Sequence, residues 1–170
     1  MRRGEIGIIA GMAALVIIVM GYRTYQLATG EKDPGIPFYS TATAEVKRQG
    51  EEIYRGAGCS KCHTLWMVRN MMETVPAPPL DGIGSLRDEP WFFQYFSAPD
   101  PQAILPTRLK AEFRMPSYAS MPEADRHTLA AYMASLKVQD WYLDQTRQVE
   151  YEKLTGKKLE ASSNETSNKK

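Results

Sequence analysis

Both cysteines of the chain lie in one five-residue motif, Cys59-Ser60-Lys61-Cys62-His63. The Cys-x-x-Cys-His spacing is that of c-type haem attachment, because one short turn presents two thiols to the two vinyl groups of a haem and the next imidazole to its iron. In a domain of about a hundred residues a haem supplies much of the core. The motif therefore constrains how the chain packs as well as its chemistry.

The alternatives for this motif are a thiol redox pair, a structural disulfide and half of a zinc site. A thioredoxin-like pair expects a βαβ setting, and the chain has no alternating strand pattern of useful length. With only 2 Cys and 2 His, a zinc site would depend on distant His127 for its remaining ligands. The same counts exclude a multi-disulfide scaffold and an iron–sulfur cluster held by four cysteines of this chain. Haem attachment is the favoured interpretation.

Composition narrows the class of protein further. The chain has 170 residues, enough for one ordinary domain with appendages. Its 21 Lys and Arg against 20 Asp and Glu leave a formal net charge of +1, with no long basic run that would indicate a nucleic-acid surface. A hydrophobic content of 43% argues against wholesale disorder.

Residues 1–29 are predicted to form a transmembrane anchor. From Ile6 to Leu27 the chain has 22 residues whose only charge is Arg23. As a helix that segment is about 33 Å long, enough to cross the hydrocarbon core of a bilayer. Arg2 and Arg3 precede it, so the positive-inside rule keeps the N-terminus in the cytoplasm. We therefore expect the rest of the chain on the periplasmic side of the inner membrane.

A cleaved signal peptide is the alternative to this anchor. Signal peptides usually have a shorter apolar region, followed by small residues of the A-x-A kind. Here the apolar run is followed by Tyr-Arg-Thr-Tyr-Gln at 22–26. Retention of the segment is the favoured interpretation.

The remaining sequence divides by composition. Residues 30–40 contain two Pro and two Gly, which predicts a short, fairly stiff linker rather than secondary structure. The folded domain is expected over 41–137. A weak apolar stripe predicts a helical extension over 138–156, and the polar residues 157–170 have the composition of a disordered tail.

Two helices are predicted in the first two thirds of the folded domain. Val46 and Ile53 lie seven residues apart on one helical face, before Gly56 interrupts the pattern. A short second helix is bounded by Pro90 and Pro99. Its large side chains recur at helical spacing: Trp91, Phe92, Tyr95 and Phe96.

The last helix of the domain carries the clearest signals. Ser120 and Glu123 have the spacing of a capping box, with Pro122 inside the first turn. A single apolar stripe follows: Leu129, Tyr132, Met133 and Leu136. The fold class predicted from these elements is all-α with long loops.

Three further segments accompany the haem motif. A helix that carries Gly50 and Tyr54 precedes it, and two proline-containing segments follow it: Pro78-Pro79-Leu80-Asp81-Gly82 and Met115-Pro116-Ser117-Tyr118. With these segments the sequence resembles the class I cytochromes c over roughly Thr41 to Lys137. The resemblance implies the class I cytochrome c fold for this part of the chain. The whole chain is therefore expected to be all-α, with the N-terminal transmembrane helix and the C-terminal helical extension added to that fold.

The same resemblance implies one covalent haem c and its iron ligands. Cys59 and Cys62 hold the haem, and His63 and Met115 are the two axial ligands. It implies that the Pro78 carbonyl accepts a hydrogen bond from His63, which fixes the orientation of the imidazole. Leu80 and Tyr118, on the matching segments, are candidate haem-pocket residues. Gly50 and Tyr132 match positions where the first and last helices of the family cross closely, which requires a residue without a side chain on one of them.

The sixth ligand has an alternative, because the chain has 9 Met and methionine is also a common core filler. Met121 likewise precedes a proline, but it sits beside the predicted capping box. The other candidates are expected to serve in packing: Met67, Met71, Met72 and Met133. His127 points away from the apolar stripe of its helix and is expected to face solvent.

Trp91 and its aromatic neighbours are also candidates for the haem pocket. An electron pathway through them is one interpretation. Packing is the other, because large aromatic side chains pack around a haem and exclude water. The packing role is favoured.

With both axial positions filled, the iron has no open site for a substrate. The resemblance therefore implies single-electron transfer rather than catalysis. The architecture is similar to the mono-haem subunits of cbb3-type oxidases and nitric oxide reductases. We expect redox proteins and other membrane subunits of a respiratory complex as partners. A haem-based gas sensor and a structural assembly subunit are the alternatives.

Overall fold

The computed structural model describes residues 3–29, 35–68, 75 and 77–159. The chain divides into two compact units, Met1–Gly35 and Ile36–Lys170. The described residues are mainly helical, which fits the predicted all-α class apart from one small sheet.

The first unit contains one helix, α1 (Arg3–Thr29), of 27 residues. It includes the whole segment from Ile6 to Leu27, for which the sequence predicts a helix. The described side chains along it are exposed. Within the part of the chain that the structure describes, no helix is both long enough and apolar enough to cross a membrane. The anchor stays a prediction.

The second unit is organised around three helices, α2 (Ala44–Gly56), α3 (Glu89–Ser97) and α4 (Glu123–Ser135). Helix α4 contacts both α2 and α3. Side chains cap the first two, because the Thr43 hydroxyl accepts a hydrogen bond from the Val46 N–H and the Asp88 carboxylate accepts one from the Trp91 N–H. All three helices lie close to their predicted positions.

The core forms where these helices meet. Leu129, Tyr132 and Leu136 are fully buried, and Met133 is nearly so. The predicted apolar stripe is therefore confirmed as the buried face. Phe92, Tyr95 and Phe96 of α3 are buried against it.

The capping box predicted from Ser120 is wrong. Helix α4 begins after Pro122, which holds the N-cap position without a side-chain hydrogen bond. Instead, the Arg126 side chain reaches back and donates hydrogen bonds to the carbonyl oxygens of Ala119 and Met121. The Arg126 guanidinium therefore fixes the backbone that leads into α4, where the sequence predicted that the Ser120 hydroxyl would cap the helix.

The prediction that residues 30–40 form a linker without secondary structure is wrong for residues 38–40. Phe38–Ser40 forms a strand, β1, which pairs antiparallel with β2 (Leu136–Val138). The Thr41 N–H also donates to the Ser135 carbonyl at 3.0 Å. These residues thus belong to the folded unit, which starts earlier than residue 41. Residues 30–34 lie outside the described part of the chain.

The predicted extension is a helix, α5 (Asp140–Thr155), which ends at Gly156 in the left-handed conformation. Tyr142 meets Phe38 of β1 edge to face at 5.4 Å, and the Leu154 carbonyl accepts a hydrogen bond from the Arg108 N–H at 3.0 Å. Helix α5 is thus attached to the folded unit at both ends. Most of the predicted tail, residues 160–170, lies outside the described residues.

Candidate functional site

A cavity of about 350 Å³ opens beside the cysteine motif, between helices α3 and α4 and the loop that precedes α4. Eight residues singled out from the sequence all line it: Cys59, Cys62, His63, Pro78, Leu80, Trp91, Met115 and Tyr118. The structure thus brings together side chains that are spread over sixty residues of sequence.

A tight turn presents the two thiols to this cavity. Helix α2 ends at Gly56, and Gly58 adopts the left-handed conformation with φ of 75°. A single turn of 3-10 helix follows, in which the Cys59 carbonyl accepts hydrogen bonds from the N–H groups of Cys62 and His63, at 3.1 and 2.9 Å. Both cysteines are half-buried and are not joined to each other.

The imidazole of His63 is held in one orientation. Its Nδ1 lies 2.7 Å from the Pro78 carbonyl oxygen, which can only accept a hydrogen bond, so Nδ1 carries the proton and Nε2 keeps its lone pair. Burial lowers the pKa of His63, which keeps the ring neutral. A neutral imidazole with an available Nε2 is the form that binds iron. The hydrogen bond to Pro78 that the resemblance implies is present.

Met115 is half-buried in the cavity wall, on an irregular segment before α4. The Gln102 side-chain amide donates to the Met115 carbonyl at 3.2 Å, and the Ser117 hydroxyl donates to the Ala98 carbonyl at 2.7 Å. Of the described methionines, Met115 and Met133 line the cavity, whereas Met121 does not.

The packing role predicted for the other methionines holds for one of them and fails for another. Met133 is buried, so its predicted packing role is confirmed. The same prediction is wrong for Met67, whose side chain is 72% exposed. Met71 and Met72 lie outside the described residues.

Met67 is exposed because it lies at the tip of a tight turn. Trp66 and Met67 both have positive φ, 55° and 58°, and a bridge joins Leu65 to Val68 on either side of them. The buried Asp81 carboxylate accepts a hydrogen bond from the Met67 N–H at 3.2 Å. Burial raises the pKa of Asp81. This turn directly follows the haem motif and is tied to the segment that holds Pro78.

His127 lies outside the cavity. Its ring is exposed and stacks on Phe93, with 3.9 Å between the ring centroids. The prediction that it faces solvent is confirmed.

Among the described residues, no group of three or more His, Cys, Asp or Glu side chains is placed to hold a metal ion.

Aromatic side chains form much of the cavity wall. Trp91 stacks on Tyr95 with ring centroids 4.9 Å apart, and Tyr118 meets Phe96 edge to face at 6.4 Å. The Tyr118 hydroxyl donates to the Ala57 carbonyl at 3.3 Å. Burial raises the pKa of Tyr95 to about 12, so the phenol stays protonated near neutral pH. These contacts support a packing role for Trp91.

Arg87, Glu150 and Leu154 are among the residues of the cavity wall that the sequence does not indicate. Arg87 Nη1 lies 2.5 Å from Glu150 Oε1, and the two side chains are only 17% and 13% exposed. Because 63 residues separate the partners, neither periodicity nor a local motif indicates the pair. The extension thus contributes directly to the cavity.

The residues present fit a covalently bound haem. The cavity volume lies within the range of about 300–1,000 Å³ typical of cofactor sites. Two thiols, a neutral imidazole and a thioether line one mainly aromatic and aliphatic wall. Imidazole and thioether are the pair of axial ligands that suits a low-spin electron-transfer haem.

Comparison with known proteins gives one match. The sequence model of the family described as Cytochrome c matches residues 48–137, which are 90 of the 170 residues. No curated protein and no solved structure gives a significant match.

Proposed function

Because the chain belongs to the cytochrome c family, in which haem c is bound covalently, we propose that it transfers single electrons through one haem held in this cavity. When bound, the haem supplies an iron that changes between the ferric and ferrous states one electron at a time. The protein's own residues attach the haem, orient its ligands and exclude water.

Each residue of the cavity has a defined task in this proposal. Cys59 and Cys62 would form the two thioether bonds to the haem, and His63 would bind the iron through Nε2. Met115, which lines the same cavity, would be the second protein ligand of the iron, and its thioether would favour reduced iron and so raise the potential. The Pro78 carbonyl keeps His63 in the required tautomer.

The observation that carries the proposal is that both thiols, His63 and Met115 line the same cavity. With His63 and Met115 as its ligands, the iron would have no open coordination position for a substrate or a gas. This arrangement supports electron transfer over catalysis and over gas sensing.

A potentiometric titration followed by absorbance tests this function. We expect a single one-electron transition, and we expect the reduced protein not to bind carbon monoxide. The matched control is Met115→Ala, which opens one axial position and should bind carbon monoxide readily. Rapid binding of carbon monoxide by the wild-type protein would instead favour the gas sensor.

The proposal extends to a membrane anchor at the N-terminus. The apolar segment from Ile6 to Leu27 lies within one continuous helix, α1, and two arginines precede it. Such a segment would hold the haem domain at the periplasmic face of the inner membrane. N-terminal sequencing of the mature protein from washed membranes tests this. A new N-terminus between Gly21 and Gly35 would identify a signal peptide instead.

The partners in this proposal are redox proteins and other membrane subunits of a respiratory complex. A tethered haem domain is restricted to the membrane surface, which suits transfer between neighbours at high effective concentration. Purification in mild detergent, followed by identification of the co-purifying subunits, tests the assignment. If respiratory activity survived haem loss in such a complex, the role would be structural assembly.

A further inference from the structure

The ion pair between Arg87 and Glu150 forms part of the wall of the haem cavity. The same two side chains also line a second, more open cleft, together with Asp88 and Arg147. The pair therefore stands between the cavity and a solvent-facing surface. Glu150 lies on α5, beyond the residues 48–137 that match the family.

Arg87 is held from two directions. Its guanidinium carbon lies 4.6 Å from the centroid of the Trp91 ring, and Glu150 pairs with its Nη1. A guanidinium stacks well on an indole face and bonds a carboxylate in a fixed geometry. Both charged groups are largely removed from water, so the attraction between them offsets the free-energy cost of their desolvation.

The helix that carries Glu150 is itself fixed in place. Thr146, one turn earlier, is buried, and its methyl group lies beside Gly82, 3.5 Å from where a β-carbon at position 82 would stand. One turn later, the Leu154 carbonyl accepts a hydrogen bond from the Arg108 N–H. The Glu150 carboxylate is therefore presented to Arg87 from a rigid element.

We propose that Glu150 is a positioning residue which holds Arg87 in the haem-cavity wall, and that the two opposite charges of this pair set the haem potential. The inference rests on the proposed function, because it needs the haem in this cavity.

The direction of each effect follows from electrostatics. Ferric haem carries one more positive charge than ferrous haem, so a nearby carboxylate favours the ferric state and a nearby guanidinium favours the ferrous state. Charges act strongly across a buried wall because the effective dielectric constant there is far below that of water. Removing Glu150 should therefore raise the potential, and removing Arg87 should lower it.

Potentiometric titration of the full-length holoprotein tests the pair. Glu150→Gln should shift the ferric–ferrous equilibrium about tenfold toward ferrous haem, which is ~59 mV for one electron. Arg87→Gln should shift it in the opposite direction. The double variant, which has lost both charges, should lie between the two single variants.

Two further sets of variants separate charge from stability. Glu150→Asp and Arg87→Lys keep the charges, so their potentials should stay near wild type even where they lower the melting temperature. Asp144→Asn removes a carboxylate from the same helix at a position that is 95% exposed and paired with Arg147. Solvent screens that charge, so this control should leave the potential unchanged.

Shifts of the same sign in Glu150→Gln and Arg87→Gln, or unchanged potentials with a lower melting temperature, would overturn the inference. Either result would make the pair a purely structural clamp. Wild-type protein without covalently bound haem would instead overturn the proposed function, so the two failures are distinguishable.

Discussion

Gly50 of α2 lies directly against the side chain of Tyr132 in α4, so closely that a β-carbon at position 50 would overlap the tyrosine. Tyr132 is fully buried. The contact sets how the two helices cross. Since the haem motif follows Gly50 by nine residues and α4 contributes Leu129 to the cavity, this crossing also positions the thiols against the opposite wall.

Replacing Gly50 with Ala should destabilise the protein by about 1–3 kcal/mol, the usual cost of overpacking a well-packed contact. Denaturant unfolding of the holoprotein measures the change. Gly56→Ala, in the last turn of the same helix, is the matched control, because nothing lies within 4 Å of the β-carbon that it adds. Its stability should stay within about 0.5 kcal/mol of wild type. Equal losses in both variants would contradict the close crossing.

Met115→Ala should abolish the weak near-infrared charge-transfer band that marks sulfur ligation to ferric haem, and it should lower the potential, because Met115 lies in the cavity wall. Met121→Ala should leave the band in place, since Met121 is not among the cavity residues. Absorbance spectra of the two oxidised variants show which methionine, Met115 or Met121, is the sixth ligand. If the band disappears only in Met121→Ala, the assignment of the sixth ligand is wrong.

Met67→Gly should stabilise the protein, because left-handed backbone costs a residue with a side chain roughly 1–2 kcal/mol and the lost side chain is mostly exposed. The gain is reduced by the greater flexibility of glycine in the unfolded chain. Val68→Gly is the control, because Val68 is equally exposed, at 71%, but is not among the residues with positive φ. That variant should lose stability. A loss in Met67→Gly at least as large as in Val68→Gly would contradict the strained turn.

The features that could be predicted from the sequence are mostly local. Helices α2, α3 and α4 follow from apolar spacing and from the Gly and Pro residues that bound them. The haem motif is contained in five residues. The placement of Met115 and Pro78 depended on resemblance to a family, because each lies far from the motif in sequence and near it in the fold.

The features that the sequence did not predict depend on contacts between distant residues, or on neighbouring residues that compete for the same structural role. Strands β1 and β2 have three residues each, too few to show alternation, and the pair Arg87–Glu150 joins distant segments. The capping box failed because Pro122 takes the N-cap position itself, while Arg126, from inside the helix, holds the preceding carbonyl groups. Met67 is exposed because it lies at the tip of a left-handed turn, in which its N–H donates to the carboxylate of Asp81, 14 residues away.

Covalent attachment of one haem through Cys59 and Cys62 is the central claim. Denaturing electrophoresis with haem staining tests it most directly, on protein made in a host that matures c-type cytochromes. We predict that the stain migrates with the wild-type polypeptide and is lost in the double variant Cys59→Ala, Cys62→Ala. Stain that leaves the wild-type polypeptide under denaturing conditions, or that persists undiminished in the double variant, would contradict the account.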